Sequence, residues 1–157
     1  MLRMLTIDEI DKKILQLLKN NARISLTEIA KKVGLSVMGV KNRISRLEKK
    51  GIITNYSVNI DYTKLGYNII AFVGISVEIK KRMKVLEELK KHKEVIELYE
   101  VTGVYDLIAK IIVKDMEELR KFLAVTMAEI EGITATYTML ITKEHEIQFN
   151  KQLLEEN

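Results

Sequence analysis

The stretch SVMGVKNRISRLEKK, residues 36–50, decides how the beginning of this chain folds. Its apolar residues recur at helical spacing, on the stripe Val37, Val40, Ile44 and Leu47, as in an amphipathic helix lying on a core. The opposite face carries cations together with small or amide side chains, and no acid before Glu48. Cations bind phosphates and amides reach base edges, so this face fits a helix that enters a DNA groove. A solvated surface helix would show the same pattern.

Two further helices are predicted before this stretch. A T-x-x-E capping box at residues 6–9 opens the first, and an S-x-x-E box at residues 25–28 opens the second. Gly34 follows the second helix where a left-handed C-terminal residue is expected, and Ser36 is the expected N-cap of the third. Two helices joined by so short a turn form a helix-turn-helix, whose second helix enters the major groove.

Residues 51–67 are predicted to be a strand pair and linker. After Gly51 and two isoleucines, apolar residues alternate at Tyr56, Val58 and Ile60. A strand pair in this position is the wing of a winged helix-turn-helix domain, which we assign to residues 1–60.

Composition narrows the classes of function. The chain has no cysteine and 2 histidines, so thiolate chemistry and a histidine metal cage are not expected, and neither is a cofactor. Its longest apolar run, residues 69–75, is far shorter than the ~20 residues of a membrane span, and no basic-then-apolar leader opens it. We therefore expect a cytoplasmic protein that does not bind membranes. No phosphate loop or nucleophile with a neighbouring base is present in the sequence, so an enzyme is not expected.

Charge is distributed unevenly along the chain. Residues 1–60 hold 12 Lys and Arg against 5 Asp and Glu, a net charge of +7, whereas residues 61–157 hold 14 against 17, a net charge of −3. The basic front is expected to meet a polyanion, and the mildly acidic back to serve another purpose.

The back half, residues 68–157, shows the order β-α-β-β-α-β. Apolar runs or alternation predict strands at 68–78, 95–102, 107–113 and 133–142, and helical spacing predicts helices at 81–92 and 116–130. This α+β order is the ferredoxin-like plan, an antiparallel sheet with both helices on one face. The other face would expose many apolar side chains. We therefore expect a dimer formed sheet against sheet.

Four segments together resemble one family: LTIDEIDKKILQLLKNNAR, LTEIAKKVGLS, VKNRISRLEKKGII and VTGVYDLIAKI. The chain resembles the Lrp/AsnC, or feast/famine, transcription regulators from about Leu5 to about Glu146. The resemblance implies a homodimer that assembles further, often to an octamer, and that binds double-stranded DNA at promoters. It also implies a C-terminal domain that binds an amino acid, and binding that changes assembly or DNA affinity.

The resemblance also implies two sets of site residues. The recognition-helix positions of the family fall on Ser36, Met38, Gly39, Lys41, Asn42, Arg43 and Arg46. Its effector loop falls on Thr102, Gly103, Val104, Tyr105 and Asp106, and the strand that completes the effector pocket offers Thr134, Thr136 and Thr138. Arg43 matches the usual arginine of the family, whereas Met38 and Gly39 depart from its small polar residues, so the target sequence does not carry over.

The effector loop has two possible explanations. A free amino acid needs N–H donors for its carboxylate and an anion for its ammonium group, and Gly103 and Asp106 could help to supply them. Glycine and aspartate are also what any hairpin turn prefers. At this point the chain is either a regulator controlled by an amino acid or an effector-independent architectural DNA-binding protein.

Overall fold

The computed structural model describes residues 7–145 of the chain. These residues belong to two compact units, which divide between Asn59 and Ile60, and the second unit ends at Glu144. Among the described residues, no helix is both long and apolar enough to cross a bilayer.

The first unit is a bundle of three helices: α1 (Glu9–Asn20), α2 (Leu26–Val33) and α3 (Val37–Lys49). Each begins at a side chain that accepts a hydrogen bond from the first turn: Asp8 for α1, Ser25 for α2 and Ser36 for α3. Gly34 ends α2 with φ 71°, a left-handed conformation that glycine adopts without strain. The structure confirms Ser25 and Ser36 as the predicted caps and confirms this glycine. Of the predicted box at residues 25–28 only the bond to Ser25 is present, because the side chain of Glu28 pairs with Lys32.

The predicted capping box at residues 6–9 is wrong. Thr6 lies outside the described residues, and α1 begins later, with a box in which Asp8 and Asp11 each accept a hydrogen bond from the other's backbone N–H. Aspartate caps a helix as well as threonine does, and Asp8 lies two positions after Thr6 in the sequence.

Val40, Ile44 and Leu47 are buried on the inner face of α3, where Val40 and Ile44 pack with Ile14 and Ile29 in the core of this unit. Val37 was predicted to share the buried stripe, but 43% of its surface is exposed. It occupies the first helical position, ahead of the core, and so remains in solvent.

The strand pair predicted within residues 51–67 is absent from the described chain, although the helix-turn-helix is present. The N–H groups of Ile52 and Ile53 donate to the carbonyl of Leu47 and close the end of α3. Beyond them residues 54–60 pair with no strand among residues 7–145, and Tyr56, Val58 and Ile60 are exposed. Alternation made this segment resemble a strand, but a strand also needs a neighbour to accept its hydrogen bonds.

The second unit has the predicted β-α-β-β-α-β order. It comprises β1 (Ile69–Val77), α4 (Arg82–Leu89), β2 (Val95–Glu100), β3 (Leu107–Val113), α5 (Met116–Lys121, continued by a π-helical turn Phe122–Met127) and β4 (Ile133–Leu140). The sheet is antiparallel throughout, in the order β2-β3-β1-β4. This arrangement confirms the ferredoxin-like prediction.

The two faces of this sheet differ. Ala71, Val73 and Ile75 of β1 are fully buried in the core shared with α4 and α5. Phe72 and Gly74, between them in sequence, point to the other face because side chains alternate along a strand. On that face an open apolar groove of about 400 Å³ is lined by Phe72, Tyr99, Val101, Ile108 and Met139.

Candidate functional site

The outer face of α3 holds the seven residues predicted to contact DNA. Most are exposed, namely Ser36, Met38, Lys41, Asn42 and Arg46, whereas Gly39 and Arg43 are half-buried. Met38 is 62% exposed, the most of any large apolar residue on this helix. The Ser36 hydroxyl accepts a hydrogen bond from the N–H of Gly39 at 3.0 Å, so Ser36 has a structural role in starting the helix.

Arg43 has protein partners in the free chain. One nitrogen of its guanidinium, Nη1, donates to Oδ1 of Asp11 at 2.9 Å and also to Oδ2 of Asp8. The side chain is only 24% exposed. Arg46, one turn away, donates to the other oxygen of Asp11. Both arginines of α3 are therefore held by α1.

Asp11 is the residue that this arrangement depends on. It is 0% exposed and is the buried charged residue of the described chain. Burying a carboxylate alone is costly, but here both oxygens accept hydrogen bonds from guanidinium groups. The guanidinium of Arg43 also lowers the pKa of Asp8, chiefly through the hydrogen bond between them. Because this pKa lies below its ordinary value, Asp8 stays ionised, and its pair with Arg43 is lost only as the pH falls into the acid range.

Asp11 was not among the predicted site residues, although the sequence contains a signal for it. Asp11 follows Ile7 by four positions and precedes Ile14 by three, so helical spacing puts it on the buried stripe of α1. An acid in that position requires a cation, and Arg43 and Arg46 were the only arginines on the facing helix.

The second candidate site is the loop between β2 and β3, residues 101–106. The loop is closed by a hydrogen bond from the N–H of Val101 to the carbonyl of Asp106 at 3.0 Å, and it is joined to β1 by one from the N–H of Asp106 to the carbonyl of Ile75 at 3.0 Å. Gly103 has φ 139°, a conformation that side-chain-bearing residues rarely adopt. Thr102, Gly103 and Val104 are exposed at its tip.

The carboxylate of Asp106 is engaged inside the fold. One oxygen accepts a hydrogen bond from the N–H of Val77 at 2.9 Å, and the other accepts one from Nη2 of Arg82 at 2.9 Å. Asp106 therefore fixes the loop against the end of β1 and the start of α4. The Nε atom of Arg82 is buried without a hydrogen-bond partner in the described chain.

Tyr105 rests on the open face of the sheet over Gly74. A Cβ atom at Gly74 would lie 2.6 Å from the tyrosine ring, so only glycine leaves room for it. The ring also stacks on Tyr137 of β4, with centroids 6.1 Å apart and planes inclined by 21°. Tyr137 was not among the predicted effector contacts, and it is the β4 side chain that this loop meets.

The three predicted threonines lie elsewhere on β4. Thr136 is opposite Ile75 and Thr138 is opposite Val73, two residues whose side chains face the helices. Paired residues of antiparallel strands share a face, so these threonines and Tyr105 lie on opposite faces of the sheet. Thr134 is exposed at the start of the strand. One chain therefore does not bring the threonines and the loop tip into one pocket.

Comparison with known proteins covers both units. Residues 7–54 match the family described as winged helix-turn-helix DNA-binding, and residues 70–148 match the Lrp/AsnC ligand binding domain. The HTH-type transcriptional regulator FL11 of Pyrococcus furiosus is 40% identical over 88% of this chain and 91% of its own length. This chain belongs to the Lrp/AsnC family of transcription regulators.

Other members of the family extend the comparison. The HTH-type transcriptional regulator Ptr1 of Methanocaldococcus jannaschii is 38% identical over 87% of this chain and 93% of its own length. Escherichia coli AsnC superimposes with a TM-score of 0.84 at 29% identity, over 94% of this chain and 99% of that one. A transcriptional regulator from Neisseria meningitidis, solved in complex with L-methionine, superimposes with a TM-score of 0.88 at 25% identity, over 95% and 99% of the two chains.

The role of Asp11 predicts unequal effects of two similar substitutions. Asp11→Asn should lower the free energy of the local unfolding that exposes the α3 amides by about 2 kcal/mol. The reason is that two charge-assisted hydrogen bonds are weakened in a buried environment. Asp8→Asn is the control: its side chain is 52% exposed and asparagine caps helices equally well, so the loss should stay below about 1 kcal/mol. Hydrogen exchange of α3 amides, read by mass spectrometry in the full chain, measures both. Equal protection in Asp11→Asn and the unchanged protein would contradict the assignment.

The recess at Gly74 predicts a coupling between two positions. Gly74→Ala should lower the free energy of unfolding by about 1–3 kcal/mol, because the added methyl group collides with the ring of Tyr105. In a Tyr105→Ala background the same change should cost less than about 0.5 kcal/mol, since the colliding group is gone. Calorimetric unfolding of the four proteins gives the coupling. Additive losses would mean that Tyr105 does not occupy the recess in solution.

Proposed function

We propose that this chain is a sequence-specific, non-catalytic regulator that binds double-stranded promoter DNA through α3, with DNA affinity or assembly set by an amino acid at the loop of residues 101–106. The observation that carries the effector half of the proposal is the loop itself. It is fixed from below by Asp106 and Tyr105, while its tip is exposed. A loop held in place before its ligand arrives loses little entropy on binding.

The chemistry of the tip suits a carboxylate. Among the described residues, the backbone N–H groups of Gly103 and Val104 donate to no protein acceptor, so both are free for a ligand. Without a Cβ, Gly103 lets the ligand approach the backbone closely. The carboxylate of Asp106 already accepts hydrogen bonds from Val77 and Arg82. We therefore propose that Asp106 shapes the loop. The competing role is direct pairing of its carboxylate with the ammonium group of the ligand. The methionine complex of the Neisseria relative supports an amino acid as the ligand class.

Assembly is part of the proposal. The apolar groove and the exposed Tyr137 and Met139 lie on the sheet face that no described helix covers. We propose a homodimer that covers this face with the same face of a second copy, and further association to a higher assembly such as an octamer. Since the threonines of β4 and the loop tip do not meet within one chain, a pocket that uses both needs a second chain.

The runner-up is an architectural DNA-binding protein without an effector. The basic first sixty residues favour either function, because charge alone binds any DNA sequence. The two functions differ in sequence preference and in response to a ligand.

A panel of the twenty amino acids tests the effector. The expected result is that one or a few raise the melting temperature of the full chain, since a ligand at 100 times its Kd stabilises the folded state by about 2.7 kcal/mol. Asp106→Ala should abolish the shift, and Glu117→Ala, an exposed acid outside the loop, should retain it. Asp106→Asn separates the two roles: it should keep a reduced shift if Asp106 shapes the loop, and lose it if the carboxylate pairs with the ammonium group. No shift with any amino acid in the unchanged protein would refute the effector.

Affinity at fixed salt tests sequence recognition. On a site selected from random DNA, the full chain should bind about 10³-fold or more tightly than on scrambled DNA of equal length. Measuring both at the same salt concentration is essential, because phosphate contacts depend steeply on it. A ratio near one would favour the architectural function.

A further inference from the structure

Guanidinium groups are the side-chain groups that most often bind guanine in the major groove. In this fold, the guanidinium groups of α3 already have partners within the protein. The arginine side chains on its outer face, Arg43 and Arg46, both donate to the buried carboxylate of Asp11. Moving either to a base would take a charge-assisted hydrogen bond away from a carboxylate that is buried inside the unit, which is costly. Base recognition by α3 therefore falls to its other exposed residues.

Met38 and Asn42 hold the centre of the exposed face. Val40, Ile44 and Leu47 mark the inner side of the helix, and at 3.6 residues per turn Met38 and Asn42 point away from it, one turn apart. Met38 is 62% exposed, and the neighbouring Val37 is 43% exposed. Gly39 beside them has no side chain, so the first turn can lie close to a groove floor.

Val37 and Met38 form an exposed apolar pair on a basic helix, and we expect such a pair to pack against an apolar surface of the partner. Along base edges in the major groove, the prominent apolar group is the C5 methyl of thymine, whereas guanine, adenine and cytosine offer mainly hydrogen-bonding groups. Asn42 has the fork of donor and acceptor that matches adenine N7 and N6. Met38 therefore matches the thymine of an A·T pair, and Asn42 matches the adenine.

We propose that Met38 is a specificity-determining residue that selects thymine by packing on its C5 methyl group, with Asn42 on an adenine nearby. This inference rests on the proposed sequence-specific binding to DNA. It predicts half-sites in which the base pairs under the first two turns of α3 are A·T, with no guanine read by Arg43.

The experiment removes the methyl group alone. The full chain is used to select a site from random double-stranded DNA, and each thymine of that site is then replaced in turn by deoxyuridine. At one or two positions per half-site, the replacement should weaken binding by about fourfold, the change expected for one buried methyl group. All other positions should be unaffected.

Variants connect that loss to Met38. In Met38→Ala the deoxyuridine penalty should disappear, and in Met38→Leu, which keeps an apolar side chain of similar size, it should remain. Met83→Ala, at a methionine of α4 that is 65% exposed, is the control and should keep the full penalty. Circular dichroism confirms that the variants are folded.

Two outcomes would overturn the inference. One is a selected site whose thymines all tolerate deoxyuridine, and the other is an unchanged penalty in Met38→Ala. A selection that yields no preferred site would instead refute sequence-specific binding itself, so the two failures are distinguishable.

Discussion

The hydrogen bonds between the carboxylate of Asp11 and the guanidinium groups of Arg43 and Arg46 are the constraint on which the DNA-binding unit depends. Helices that pack only through aliphatic side chains can slide with small loss, because hydrophobic contacts are not directional. A buried carboxylate with two fixed donors has few satisfactory geometries. It therefore sets where α3 lies against α1. It also determines which side chains of α3 remain available for DNA.

The loop of residues 101–106 in the second unit is likewise held in place by specific side-chain contacts. Asp106 is joined to β1 and α4, and Tyr105 fits a recess that exists only because residue 74 is glycine. Both residues belong to the segment that the sequence predicted as the effector loop, and in this fold they hold the loop from beneath. Their contacts leave the backbone at the tip exposed. In both units, polar residues that were predicted to contact a ligand or DNA are bound within the protein.

The sequence predicted the elements well because local physics determines them. Serine caps, the left-handed Gly34 and the alternation in β1 and β3 each act over a few residues, and the structure retains them. Prediction failed where the outcome depends on distant partners. The partners of Arg43 lie more than thirty positions away, and the segment around Tyr56 has no strand to pair with among the described residues. The predicted effector contacts of Thr136 and Thr138 stay a prediction, and the register of β4 places both residues on the helix side of the sheet. Asp11 was not predicted either, but its position on the apolar stripe of α1 already indicated a buried charge.

The most direct measurement is a crystal structure of the full chain bound to its selected DNA site. The expected result is that Arg43 remains within hydrogen-bonding distance of Asp11 and that the side chain of Met38 lies within about 4 Å of a thymine methyl group. An Arg43 guanidinium that has left Asp11 to bind O6 and N7 of a guanine would contradict it.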